Sequence, residues 1–137
     1  MSLASRLRSV ELSAHRHLEK SGRSTSDFRL LLVSKNRTVE EIRQAIPLGY
    51  SLFGENYVQE ALEKKSELSD QDIAWHFIGS LQSKKASQVV GHFDLVHSLD
   101  RLSLAQRLDH AAQTKSLRQK VLVQVNLSGE PSKSGVD

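Results

Sequence analysis

Short apolar runs alternate with helix-period segments along this chain, and that alternation leaves few folds open. The runs lie in Phe28–Ser34 (with Leu30-Leu31-Leu32-Val33), Tyr50–Asn56, Ala74–Gly79, Leu95–Ser98 and Val121–Leu127. They recur about every two dozen residues, as strands do when a helix separates each pair. The intervening helical positions are Val39, Ile42 and Ile46, then Val58, Ala61, Leu62 and Leu68, then Ser83 to Val90, then Leu104, Leu108, Ala111 and Ala112. Repeated strand and helix units imply parallel strands, because each helix carries the chain back to the end it started from. The first run reads as a strand buried on both faces, and the fifth as the clearest strand of all. Thr38 with Glu41 forms a capping box, Pro47 and Gly49 stop that helix, and Ser83 and Asp100 are the expected caps of two later helices. Ahead of the repeat, Leu3, Leu7, Val10, Ala14 and Leu18 form one stripe of an amphipathic helix that should pack outside the main body. The connection Ser21–Asp27 joins the two parts.

A doubly wound open sheet and a (β/α)8 barrel both fit such a repeat. Neither G-x-G-x-x-G nor G-x-x-x-x-G-K-[ST] occurs, so the usual nucleotide loops of open sheets are missing. Polar residues instead follow each strand: Ser34-Lys35, Glu55-Asn56, Gly79-Ser80, Ser98, and Asn126 with Ser128. In a barrel these ends converge on one mouth, where functional sites lie. The expected fold class is therefore α/β, of (β/α)8 TIM-barrel type, with the first five strands present and an extra N-terminal helix. One domain over residues 1–137 is expected, with the leading helix in 1–20 and the βα units in 28–137. A barrel usually needs roughly 200 residues or more, so the domain is expected to be incomplete at its C-terminus.

Several chemistries are excluded or disfavoured. The absence of cysteine removes disulfides, thiolate nucleophiles and cysteine metal sites. No apolar run reaches the length of a membrane span, and the opening Met1–Arg6 is no secretory signal, so a cytoplasmic address is expected without membrane partners. The net charge of +3 is dispersed and aromatic residues are 5%, which speaks against nucleic acid. The six histidines show no ligand spacing with carboxylates, so no metal is expected. His76 reads as a hydrogen-bonded core or pocket residue, with Trp75 and Phe77 beside it packing on the outer helices. Lys64-Lys65 and Lys84-Lys85 read as solvated helix faces. Ser34-Lys35 and Ser132-Lys133 are poor hydrolase pairs, since neighbours on a strand point to opposite faces.

Lys35 is the residue with the most chemical reach. It follows an apolar strand and stands at the expected mouth, where loss of hydration favours a neutral amine able to condense with an aldehyde. The plain alternative is a strand-end lysine whose head reaches solvent. The strings around the strand ends decide between them. Val33-Ser34-Lys35, Phe53-Gly54-Glu55-Asn56-Tyr57-Val58-Gln59-Glu60, Trp75-His76-Phe77-Ile78-Gly79 with Leu81-Gln82-Ser83-Lys84-Lys85, and Gln124-Val125-Asn126 through Ser132-Lys133-Ser134-Gly135 closely resemble the pyridoxal phosphate homeostasis protein family. The resemblance runs from Phe28 to Asp137, in order and in spacing, and the leading helix fits as well.

That family looks like the barrel domain of alanine racemase standing alone. The resemblance implies pyridoxal 5'-phosphate as cofactor, Lys35 as the lysine that holds it as a Schiff base, and Asn56 lining the pocket. It implies a role in holding or delivering the cofactor, with apo cofactor-dependent enzymes as recipients, in vitamin B6 homeostasis and without substrate turnover. The chain departs from the family pattern at Asn36-Arg37-Thr38, where Thr-Lys-Pro is frequent, and at Ser83-Lys84-Lys85, where Ser-Asn-Lys is; neither touches Lys35. The family's phosphate grip lies on later strands, so binding by these five strands alone is expected to be weak or lost. Two open sheet edges and an uncovered apolar interior favour self-association. A racemase-like enzyme and a non-binding remnant acting through protein contacts are the alternatives.

Overall fold

The structure, a computed structural model, describes residues 2–136, so the outermost bounds of the expected domain, Met1 and Asp137, lie outside the described residues. Strands β1 (Leu32–Val33), β2 (Leu52–Glu55), β3 (Ala74–Phe77), β4 (Leu95–Leu99) and β5 (Val121–Val123) form one sheet in the order β1-β2-β3-β4-β5. Every neighbouring pair is parallel. A doubly wound sheet reverses its strand order at a switch point, whereas a barrel adds each strand beside the last. The unreversed order is thus that of a partial TIM-type barrel, as the glycine and strand-end arguments expected.

The connecting helices are α2 (Val39–Ala45), α3 (Val58–Glu67), the short α4 (Ala86–Val89) and α5 (Leu102–Thr114), preceded by α1 (Leu3–Lys20). One face of the sheet carries the core. Phe53, Trp75, Phe77 and Val96 pack with Ile42, Ala61, Val89, Leu104 and Leu108 from the helices. Burial of each of the larger side chains contributes about 1.5–3 kcal/mol. The capping box forms as expected: Thr38 Oγ1 accepts from the Glu41 amide at 3.2 Å, and the Glu41 carboxylate accepts from the Thr38 amide at 2.8 Å. Pro47 enters a 3-10 turn after α2, and Gly49 closes it in the left-handed region. No helix among the described residues is long and apolar enough to cross a membrane.

Several local expectations are corrected. The first apolar run is not buried on both faces, since only Leu32 and Val33 pair as strand and Val33 is 52% exposed. Its outer side meets helices while no layer covers its inner side among the described residues. β5 is three residues rather than seven, with Val123 at 60% and Leu127 at 95% exposure. A strand borrows its regularity from its neighbours, and β5 has only β4, in a ladder whose register shifts between Val96 and Leu99. Ser83 caps nothing; its hydroxyl accepts from Arg101 at 3.2 Å. Asp100 pairs with the Arg101 guanidinium, which also donates to the Leu81 carbonyl at 2.7 Å, and α5 starts without a side-chain cap. On α1, Leu3 and Leu7 pack against the core and Ala14 and Leu18 are half-buried, with Glu11 beside the Tyr50 phenol and His15 edge-on to Phe28, while Val10 stays 52% exposed at the border of the cleft toward α2.

Candidate functional site at the carboxyl ends of the strands

Parallel strands deliver all their carboxyl ends to one side, and there the chain places its polar residues. β1 gives way to a turn in which the Arg37 amide donates to the Ser34 carbonyl at 3.0 Å, with Lys35 and Asn36 at its centre. Asn36 is left-handed, at φ 57°, a conformation that asparagine tolerates better than most residues. The Lys35 side chain is exposed and takes part in none of the described side-chain hydrogen bonds or ion pairs. The β1–β2 register sets Val33 against Gly54, so Lys35 and Asn56 each follow their paired residue by two positions, at the ends of adjacent strands.

Asn56 is half-buried, and its Oδ1 is a buried acceptor without a partner. It is held from β3: the Ile78 amide donates to the Glu55 carbonyl at 2.8 Å, and Gly79 lies against Asn56 so closely that a Cβ there would stand 2.6 Å from its Cα. Only glycine lets the two strand ends meet. Gly54 serves the inner face in the same way, because a Cβ would meet the Leu31 and Ile78 side chains at 2.5 and 3.0 Å. An unpaired amine and an orphan acceptor on adjacent strand ends fit a carbonyl-bearing ligand with a hydrogen to donate.

Directly behind this mouth lies a buried ionic cluster. Lys64, expected on a solvated face, has a side chain only 7% exposed, and its Nζ donates to Glu55 Oε1 at 2.7 Å, Glu60 Oε1 at 2.6 Å and the Ser34 carbonyl at 2.6 Å. The Ser34 hydroxyl donates to the same Glu55 oxygen at 2.7 Å, and the Asn36 amide donates to Glu60 Oε1 at 2.6 Å. Burial alone would raise the Glu60 carboxyl, but the Lys64 ammonium and the Asn36 amide outweigh it and hold it below the usual carboxylate value. The correction for Lys64 has a simple cause: α3 starts directly after β2, so a residue nine positions beyond Glu55 lands over it. The four-residue spacing of Glu60 and Lys64 was the available signal.

The same strands carry a second feature. His76 on β3 and His97 on β4 meet at 3.0 Å between Nδ1 and Nε2, which realises the hydrogen-bonded role expected of His76 with a partner that spacing did not point to. Burial lowers both imidazoles, and the charge of His97 lowers His76 further. Among the described residues no group of three or more His, Cys, Asp or Glu is placed to hold a metal. Lys65, the other half of the expected solvated pair, is half-buried over the Trp75 and Phe93 rings, while Lys84 and Lys85 are exposed as expected. A cleft of about 360 Å3 opens between α1, β1 and α2, bordered by Leu7, Val33, Arg37 and Ile42. Neither Lys35 nor Asn56 borders it.

Comparison with known proteins gives a consistent result. The family model described as alanine racemase, N-terminal domain, matches residues 16–137. A protein of Vibrio alginolyticus named pyridoxal phosphate homeostasis protein is 47% identical over 122 residues, which is 86% of this chain and 52% of the relative. One of the same name from Aquifex aeolicus is 39% identical over 137 residues, 100% of this chain and 60% of the relative. Among solved structures, PipY of Synechococcus elongatus with PLP bound superposes with a TM-score of 0.81 at 40% identity, covering 99% of this chain and 58% of that one. The same protein without PLP gives 0.83 at 42%, covering 99% and 59%. The chain spans about half the length of the curated relatives it matches, so the site described here is compared with part of theirs.

Proposed function

The chain belongs to the alanine racemase N-terminal-domain family, and from that premise we propose that it binds pyridoxal 5'-phosphate in the cytoplasm and serves vitamin B6 homeostasis without turning over a substrate. The observation that carries this reading is the exposed Lys35 amine, without a side-chain partner among the described residues, just past the end of β1, next to the β2 strand end that bears an asparagine whose buried Oδ1 lacks a donor. The relatives' homeostasis names and the PLP-bound PipY structure support the choice of ligand.

When bound, the cofactor supplies an aldehyde and an electron-withdrawing ring. Lys35, once deprotonated, would hold the cofactor by condensing with that aldehyde, with one water released. Asn56 Oδ1 accepts a hydrogen bond and orients the group, while Gly79 keeps the mouth open by leaving Asn56 in place. A racemase reading needs a second acid or base on the far side of a substrate, whereas the relatives' homeostasis names support a non-catalytic role; in our reading the recipients of the cofactor are apo enzymes.

Incubation with pyridoxal phosphate, borohydride reduction and peptide mass spectrometry test the assignment, alongside equilibrium dialysis and a chain extended to the relatives' length. Label on Lys35, lost in Lys35→Ala, is the expected result. Label confined to other lysines, or absent in both chains, overturns it, and steady-state alanine racemisation abolished by Lys35→Ala would replace the carrier with an enzyme.

A further inference from the structure

Lys35 has no side-chain partner among the described residues, so the position of its amine depends on the backbone that carries it. That backbone is gripped on both sides. Preceding Lys35, the Ser34 carbonyl accepts from Lys64 Nζ at 2.6 Å; following it, the Asn36 amide donates to Glu60 Oε1, also at 2.6 Å. The two grips are one assembly, since Lys64 and Glu60 share an ion pair one helical turn apart on α3 and Lys64 is anchored in turn to the fully buried Glu55.

We propose that Glu60 and Lys64 are positioning residues for Lys35, clamping the two peptide groups that flank it and so holding its amine at the barrel mouth. Such a clamp costs desolvation of its charges, so the ion pair by itself is weak evidence of a gain in stability. Its effect here is local: it fixes the left-handed Asn36 turn, leaving only the lysine's own side-chain rotation to be lost when a ligand is bound. Charge-assisted hydrogen bonds are the strongest available for the purpose, and both grips are of that kind. The inference rests on the reading of Lys35 as the cofactor lysine, and extends it to residues that never touch the cofactor.

Glu60 is the safer place to test it, because its side chain is a quarter exposed whereas Lys64 is buried. Glu60→Ala removes the acceptor of the Asn36 amide; Glu60→Gln keeps a carbonyl oxygen in its place. Amide hydrogen exchange at Asn36, thermal melting, and the pyridoxal phosphate dissociation constant with borohydride label on Lys35 are measured for all three chains. The expected pattern for Glu60→Ala is faster exchange at Asn36 and affinity weaker by about tenfold, near the worth of one hydrogen bond. Melting should fall only modestly, because Lys64 keeps Glu55 as its ionic partner, and Glu60→Gln should recover most of the affinity. Unchanged exchange at Asn36 in Glu60→Ala refutes the clamp. Faster exchange with unchanged affinity refutes its role in positioning. The same substitutions are made in a chain extended to the relatives' length; if Lys35 carries no label in either unsubstituted chain, the assignment of Lys35 is what fails, and the proposal falls with it.

Discussion

Lys35 and Lys64 carry the same ammonium group to opposite fates, and their backbones explain why. Lys35 follows a strand on the face that the described residues leave open, so its head projects free; Lys64 sits on the face of α3 turned to the sheet and finds three oxygens there. Sequence pattern places the first at a strand end, because that is a local feature, but its head is exposed rather than drawn out of water as expected. It misreads the second, because the partner that makes burial tolerable, Glu55, comes from another element. The histidine pair teaches the same point at the titratable end. His76 and His97 are lowered below the ordinary 6.5 by burial, so the unfolded chain binds protons that the folded chain resists. Their penalty is absent above about that pH and grows as pH falls through the window below it, so stability rises with pH there. Asp94 opposes the shift of His76 and Arg29 adds to it. Denaturation midpoints followed from pH 7.5 to 5 should decline, and His76→Gln with His97→Gln should flatten the decline. Glu60 and Asp70, whose carboxyls are lowered, act only below their ordinary values near 4.5 and 3.8, a separate acid range. An unchanged slope in the double variant would remove the pair as its source.

At the scale of elements, order and type were legible and ends were not. The helical spacing of Val58, Ala61 and Leu62 and the capping box at Thr38 define α3 and α2 without reference to anything distant. Thr38→Ala should therefore cost about 1 kcal/mol of stability, the usual worth of an N-cap, with the thermal midpoint as its measure. A wild-type midpoint would mean that the Glu41 carboxylate, which also pairs with Arg37, suffices to start the helix. Ser83 and Asp100 look equally suited to capping, yet Arg101 claims both through its guanidinium. A cap is a competition for one side-chain oxygen: for Ser83 the competitor lies eighteen residues away, invisible to local pattern, and for Asp100 it is the next residue. Likewise β5 has the composition of a long strand but only a short ladder, because strand length is set by the neighbour available for pairing.

The whole molecule presents a sheet with helices on one face and edges at β1 and β5 that pair on one side only among the described residues. Val33, Leu122, Val123, Val125 and Leu127 are all substantially exposed. Unpaired edges and apolar surface of this kind recruit other strands. Sedimentation velocity on the 137-residue chain is expected to show association that grows with concentration, and a monomer at every concentration, melting cooperatively, would contradict it. The chain by itself determined the βα repeat, the parallel sheet and the placing of Lys35 and Asn56 at strand ends, because apolar period and strand-end chemistry are written in neighbouring residues. Tertiary structure alone decided that Lys64 and Glu55 are buried together, that Gly79 must be glycine beside Asn56, and that His76 meets His97. Each of those depends on two elements arriving at one place, and the desolvation that makes the contact matter exists only once they have arrived.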